Sequence, residues 1–373
     1  MKAVKTVFLT FIIISFLAIE AHAFDPQKIE NEVDISPIIE AVPDAEREYI
    51  PNGENALDIA YKTDTGFIIS LGLKILKKTL PKTAKTLCTL LCFIVSVSLI
   101  NSGKNSISSP FFANALTYAT LTASVVFTYG ILMSLWETLE IYMTSINTVI
   151  NAMLPSMALI YTMGGNATAA VVSTSGITFI ISILNVIFQH GMLPLIKICY
   201  GLSIAEAVGA INGIREITKT VKNIYTFVLS TSMTLLSIFL LFKTNIAASA
   251  DGAAARTIKF AGSFIPIIGS AIGESIRTVM SGVELIKNSV GFVGIIILIV
   301  ITLPTLLHIL TTKICIDISS GIASVLECEK ESALLKELSS ILGFSLAITV
   351  CVAILLLFEM TVFISISPVL GGN

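Results

Sequence analysis

The sequence predicts an all-α integral membrane protein with about seven transmembrane helices after a cleaved signal peptide, and three observations carry that prediction. Charged residues make up 13% of the 373-residue chain and the mean hydropathy is +0.90. A soluble fold of this length could not cover so apolar an interior with polar surface. Six long stretches hold no Asp, Glu, Lys or Arg: 86–103, 105–136, 141–196, 223–242, 288–312 and 338–358. A helix needs roughly 20 mostly apolar residues to cross the hydrocarbon core, so the third stretch has room for two passes. Only helices satisfy the backbone within lipid at this pattern. The third observation is the N-terminus.

Lys2 and Lys5 precede an apolar run from Val7 to Ile19, and Ala21-His22-Ala23 follows just before Phe24. That is the pattern of a secretory signal, 1–23, cut between Ala23 and Phe24; an uncleaved anchor is the alternative. Residues 24–65 form an acidic exported segment. Between Phe24 and Gly66 eleven acids face three bases, Lys28, Arg47 and Lys62, and Pro26, Pro37, Pro43 and Pro51 interrupt the stretch. Such a composition reads as loosely folded or extended. Residues 66–85 then invert the charge, with Lys74, Lys77, Lys78, Lys82 and Lys85 and no acid. Phe67, Leu71 and Ile75 follow helical spacing while the lysines cluster towards the other side. Either a basic amphipathic helix lies on the membrane against anionic headgroups, or this is a solvated lead into the first span.

Residues 86–366 form the polytopic membrane domain, with spans near 86–102, 111–136, 145–163, 170–190, 222–242, 289–310 and 339–360. Loop charge leaves the orientation open. With the N-terminus outside, the connection 191–221 would be external, yet it carries Lys197, Arg215 and Lys219.

Two stretches, 150–245 and 261–365, are candidate internal repeats. Pro155 is followed by Pro194 after 39 residues and Pro266 by Pro304 after 38. Each second proline precedes a Lys-Ile-Cys triplet, 197–199 and 313–315, and each triplet cysteine stands 41 residues before a Leu-Leu-Phe end of a span. Paired repeats with proline-broken helices meeting near the midplane are a transporter architecture. The alternative is chance recurrence of short apolar words.

Polar residues inside apolar sequence mark the candidate functional positions. Gly269 and Gly273 form a GxxxG pair that lets a neighbouring helix approach closely. Glu274, Arg277, Ser281, Glu284 and Asn288 then recur at helical spacing, with Lys287 able to pair with Glu284. The stripe lines a water-filled passage or an assembly seam, or else it is the solvated face of an interfacial helix. Glu359 follows 21 uncharged residues. If the last helix runs on to Ile366 it is an intramembrane carboxylate; if the helix ends at Phe358 it marks the headgroup boundary.

Enzyme classes find no support. There is no GxSxG, HExxH or Walker A lysine, and no paired intramembrane aspartates. Once the signal is removed His190 and His308 are the remaining histidines, and the six cysteines outline neither a disulfide framework nor a zinc set. No cofactor is expected, and no basic footprint suggests nucleic acid.

The stretch 264–291, FIPIIGSAIGESIRTVMSGVELIKNSVG, together with the signal, the acidic segment, the proline–glycine segment 154–165 and the layout from Pro304 onward, resembles the stage III sporulation protein AE family of endospore-forming bacteria. The likeness covers roughly residues 60–366. It implies a multi-pass subunit in the mother cell membrane surrounding the forespore, within a transenvelope channel or feeding-tube complex. The implied partners are the other stage III A sporulation proteins, including a secretion-type ATPase, and indirectly the forespore stage II Q protein. Self-association and the lipid membrane itself complete the expected contacts. A stand-alone secondary transporter of unknown substrate is the competing function.

Overall fold

A computed structural model of the chain describes residues 35–53, 56–63, 65–104, 109–163, 167–208, 216–236, 238–239 and 269–365, with only the helical backbone of 269–286. The signal junction Ala23–Phe24 and the segment 240–268, which holds the end of the first candidate repeat and the start of the second with Pro266, lie outside the described residues. Among the described residues every regular element is a helix.

The acidic segment is compact from residue 35. Three short helices, α1 (Ser36–Glu40), α2 (Asp44–Arg47) and α3 (Ala56–Tyr61), fold around the buried Ile38, Val42, Tyr49 and Ile59. Arg47 ties α1 to α2 by donating to the Glu40 and Val42 carbonyls at 2.8 and 2.9 Å. Expected to be loose, this stretch instead carries enough apolar side chains to dock on the bundle.

The lysine-rich stretch and the first span form one helix, α4 (Thr65–Lys104), with Pro81 inside it. Leu71 and Ile75 are buried against the bundle, whereas Lys74, Lys77 and Lys78 are exposed. Lys78 sits 2.7 Å from Glu48 and holds that carboxyl below its usual range by hydrogen bonding. Lys74 lies 4.8 Å over the Tyr49 ring.

Two predicted spans, 111–136 and 145–163, prove to be one 54-residue helix, α5 (Pro110–Met163). At 1.5 Å per residue it is roughly 80 Å long. Glu137 and Glu140 are exposed on its side and mark no loop. A continuous helix crosses once, so these two predicted spans merge into one. Among the described residues five helices are long and apolar enough to cross a membrane. The third of these combines α6 (Ala167–Asn185), a π-helical turn (Val186–Met192) and α7 (Leu193–Val208). The predicted span 222–242 begins in helix α8 (216–236), and its far end lies outside the described residues.

The π-helical turn has a visible support. Tyr225 on α8 donates to the Ile187 carbonyl at 2.7 Å, satisfying backbone within the irregular turn. Gly191 makes room for the Tyr225 ring, because a methyl group there would lie 2.7 Å from it.

The last two helices, α9 (Gly269–Val325) and α10 (Glu329–Ser365), form an antiparallel hairpin, and α9 packs on α10, α4, α5 and α3. Their turn is a Schellman cap. Cys328 N–H bonds the Ala323 carbonyl at 2.9 Å, Glu327 N–H bonds Ser324 at 3.3 Å, and Glu327 takes φ 58°.

Helices α4 and α9 run parallel at a constant offset. Thr83 meets Thr311, Ser98 donates to the Leu326 carbonyl, and Asn101 reaches Cys328, pairs separated by 228, 228 and 227 residues. The uncharged run 86–103 of α4 therefore stands beside the charged end of α9, where Lys313, Asp317 and Glu327 lie. The uncharged run 288–312 of α9 stands beside the lysines of α4. The two apolar runs are staggered end to end.

Candidate functional site

The central hairpin positions most of the polar residues that the sequence singled out. Close approach of α9 and α10 depends on glycine. Gly291 faces Phe363 and Ile364, and Gly294 faces Met153 and Met360; a methyl group at either position collides with these side chains. The earlier GxxxG pair, Gly269 and Gly273, lies in the first turns of α9, where only backbone is described. Its role as a packing face is thus unassigned, while the glycines that pack α9 stand a few turns on. A small-residue search extended past residue 288 would have found them.

The stripe positions Glu274, Arg277, Ser281, Glu284, Lys287 and Asn288 all fall on the continuous helix α9. Side chains are described for the last two. Lys287 is buried, 3% exposed, and Asn288 is half-buried. On the facing helix Glu359 is 1% exposed, and α10 continues past it to Ser365. The helix therefore does not end at Phe358. Both Lys287 and Glu359 have an interaction partner, as charges taken out of water require. The Glu359 charge also reaches the phenol of Tyr161 on α5. That ring packs edge-on against Phe363 at 5.2 Å, and its hydroxyl lies 3.5 Å from Ser173. Tyr161 of α5 in this way links the neighbourhood of the α10 carboxylate to Ser173 of α6.

Along the middle of the hairpin the chain is apolar, and 289–303 is buried throughout. Two hydroxyls here are satisfied within their own helix, Ser345 donating to Ile341 at 3.0 Å and Thr349 to Ser345 at 2.9 Å, whereas the buried Thr302 hydroxyl has no hydrogen-bond partner among the described residues. Cross-helix polar links gather nearer the turn. Lys313 pairs with Asp317 at 2.9 Å and bonds Ser339, which in turn donates to Asp317. Ser320 and Ser332 bond each other's carbonyls at 3.1 and 3.0 Å. Lys222 of α8 pairs with Glu337 and reaches Ser340 at 3.0 Å. The Lys313–Asp317 pair was legible as an i, i+4 spacing. Lys222 and Glu337 stand 115 residues apart, and no local pattern joins them.

The described prolines do not break their helices. Pro155 and Pro304 sit inside α5 and α9, and Pro194 is the second residue of α7 just after the π-helical turn. A proline removes one helical hydrogen bond, which a packed neighbourhood of helices tolerates. The two Lys-Ile-Cys triplets have different surroundings. Lys197 lies over the Trp136 ring at 3.5 Å, whereas Lys313 pairs with Asp317. Cys199 feels the charges of Lys222 and Glu337, while Cys315 approaches the Thr83 carbonyl at 3.6 Å. Among the described residues no group of three His, Cys, Asp or Glu converges.

Stage III sporulation protein AE of Bacillus subtilis (strain 168) is 25% identical over 222 residues, 59% of this chain. The chain spans only 56% of that relative's length. No solved structure matches. The family model for Stage III sporulation protein AE matches residues 57–367, which takes in every helix from α4 to α10, and the chain belongs to that family.

Proposed function

We propose that the protein is a non-enzymatic, multi-pass subunit of a transenvelope channel joining mother cell and forespore, seated in the mother cell membrane that surrounds the forespore. A sporulation role follows from the family. The observation that carries the finer reading is the central hairpin, which brings Lys287 and Glu359 into a protein interior from which water is excluded. Buried charge of that kind is costly and marks a place where helices assemble or where ions pass. The partners are the remaining stage III A sporulation proteins with their secretion-type ATPase, and indirectly the forespore stage II Q protein. On this reading the chain supplies a membrane platform, and the energy comes from the ATPase.

The test is deletion of the gene in its source organism, scored by microscopy and by a late forespore-specific reporter. Arrest after engulfment, with vegetative growth unchanged, is expected. Heat-resistant spores at normal yield would overturn the proposal. Substrate flux in liposomes holding this protein alone would instead favour a self-sufficient transporter.

A further inference from the structure

A cavity of about 300 Å³ opens between α4, α5, α9 and α10, and its chemistry is that of an anion site. Lys82 and His308 line it, together with the hydroxyls of Thr83, Thr86, Ser134 and Thr312. Among the described residues no carboxylate lines it. Lys82 is itself exposed, as are Lys77 and Lys85, while four other described lysines have their charge answered. Lys78 has Glu48, Lys222 has Glu337, Lys313 has Asp317, and Lys197 has the face of Trp136. Lys82 forms no ion pair with any described residue. Its charge instead acts on the His308 ring. The exposed Lys82 ammonium and a ring N–H of His308 are both donors at this cavity, and one anion can accept from both.

The position of the cavity narrows the ligand. Lys82 is the fourth of five lysines on α4, immediately before the uncharged run 86–103. One face of that run is exposed, with Val95 and Leu99 facing outward from the protein, while Leu90, Ile94 and Val97 pack inward. Basic side chains at the end of an apolar exposed run meet the phosphates of a bilayer, while acyl chains cover the run itself. We propose that this cavity binds a phosphate ester, with Lys82 and His308 on the phosphate oxygens and the Ser134 and Thr312 hydroxyls completing the shell, since Thr83 and Thr86 already donate to Thr311 and to the Lys82 carbonyl. The headgroup of an anionic phospholipid is the source the position favours, and free phosphate is the other. The site is independent of the channel role and can fail or stand without it.

The experiment uses the full-length protein in nanodiscs of phosphatidylglycerol mixed with phosphatidylcholine, read by native mass spectrometry for lipid that stays bound on release. Wild type should retain phosphatidylglycerol selectively. Lys82→Gln should weaken that retention about fivefold, the effect of one lysine at a headgroup. Lys77→Gln, an exposed lysine of the same helix that does not line the cavity, should leave it unchanged and controls for general surface charge. Millimolar inorganic phosphate that displaces the lipid from wild type would support the site and assign free phosphate as a competent ligand. Equal retention of phosphatidylcholine, or equal loss from both lysine variants, would overturn the proposal. His308→Gln, checked for normal size-exclusion behaviour, gives a second reading of the same site.

Discussion

Along the stretch that would span a bilayer, 89% of the residues of α9 are buried by protein and 17% of those of α4, although both helices are long and apolar enough to cross a membrane. The difference is one of partners. α9 is enclosed by α10, α4, α5 and α3, so its apolar run 288–312 is a protein core. α4 offers Val95, Leu99 and Ile100 outward, and α5 adds Phe111, Phe112 and Val126. Those side chains need lipid or another protein around them. Because the two runs are staggered along the long axis, a hydrocarbon core of roughly 30 Å cannot enclose both at one depth. Hydropathy therefore reports two different things here, and only packing tells them apart.

The largest expected effect tests which helix is the core. Gly294→Leu places a side chain where Met153 and Met360 already sit. Overpacking of that kind should cost about 3 kcal/mol, with folded yield falling accordingly. Gly103→Leu on α4 meets nothing within 4 Å and should change stability by less than about 0.5 kcal/mol. Thermal unfolding in one detergent compares them directly. Equal tolerance at both glycines would remove the distinction between a core helix and a peripheral one.

A smaller effect needs no substitution, because the native cysteines already report on the two regions. Cys88 and Cys92 are exposed on α4, whereas Cys199, Cys315 and Cys328 are buried. A membrane-permeant maleimide should label the first pair in native membranes and the others only after denaturation. If α4 faces lipid, a bulky water-soluble maleimide should leave Cys88 and Cys92 untouched. Ready labelling by the water-soluble reagent would place this face of α4 in water and make a protein partner or an aqueous passage its neighbour.

How much of this was legible in the sequence follows from the range of each signal. The all-helical membrane class rested on composition and uncharged runs, which are local and robust. The count of spans did not, because Glu137 and Glu140 look like a loop in sequence but lie on the exposed side of one long helix. Charge marks contact with water or a polar partner, and a helix can meet either without ending. Glu359 was legible as an outlier, yet whether it sat at an end or in an interior depended on α9 packing over it through Gly291 and Gly294. The cavity at Lys82 and His308 joins residues more than 200 positions apart and leaves no trace in local spacing. The polar stripe at 274–284 was read from period alone, and its side-chain surroundings are not described.

The smallest effect concerns the turn that holds the compared regions in register, since Ser98 and Asn101 of α4 touch it at Leu326 and Cys328. Glu327 occupies the left-handed position of the Schellman cap with φ 58°. An L-residue with a Cβ is strained there by roughly 1–2 kcal/mol, and glycine is the residue that relieves it. Glycine also gains conformational freedom in the unfolded chain, which offsets part of that relief. Glu327→Gly should accordingly stabilise the protein by about 0.5–1 kcal/mol, a rise of a few degrees in Tm at most. Glu327→Ala is the control, since it removes the carboxylate and keeps the Cβ; it should give no gain. A gain in alanine equal to that in glycine would mean that the charge, beside the acids Glu329 and Glu331, and not the backbone, limits the turn. A loss in both would mean that the Glu327 side chain supports the α9–α10 hairpin directly.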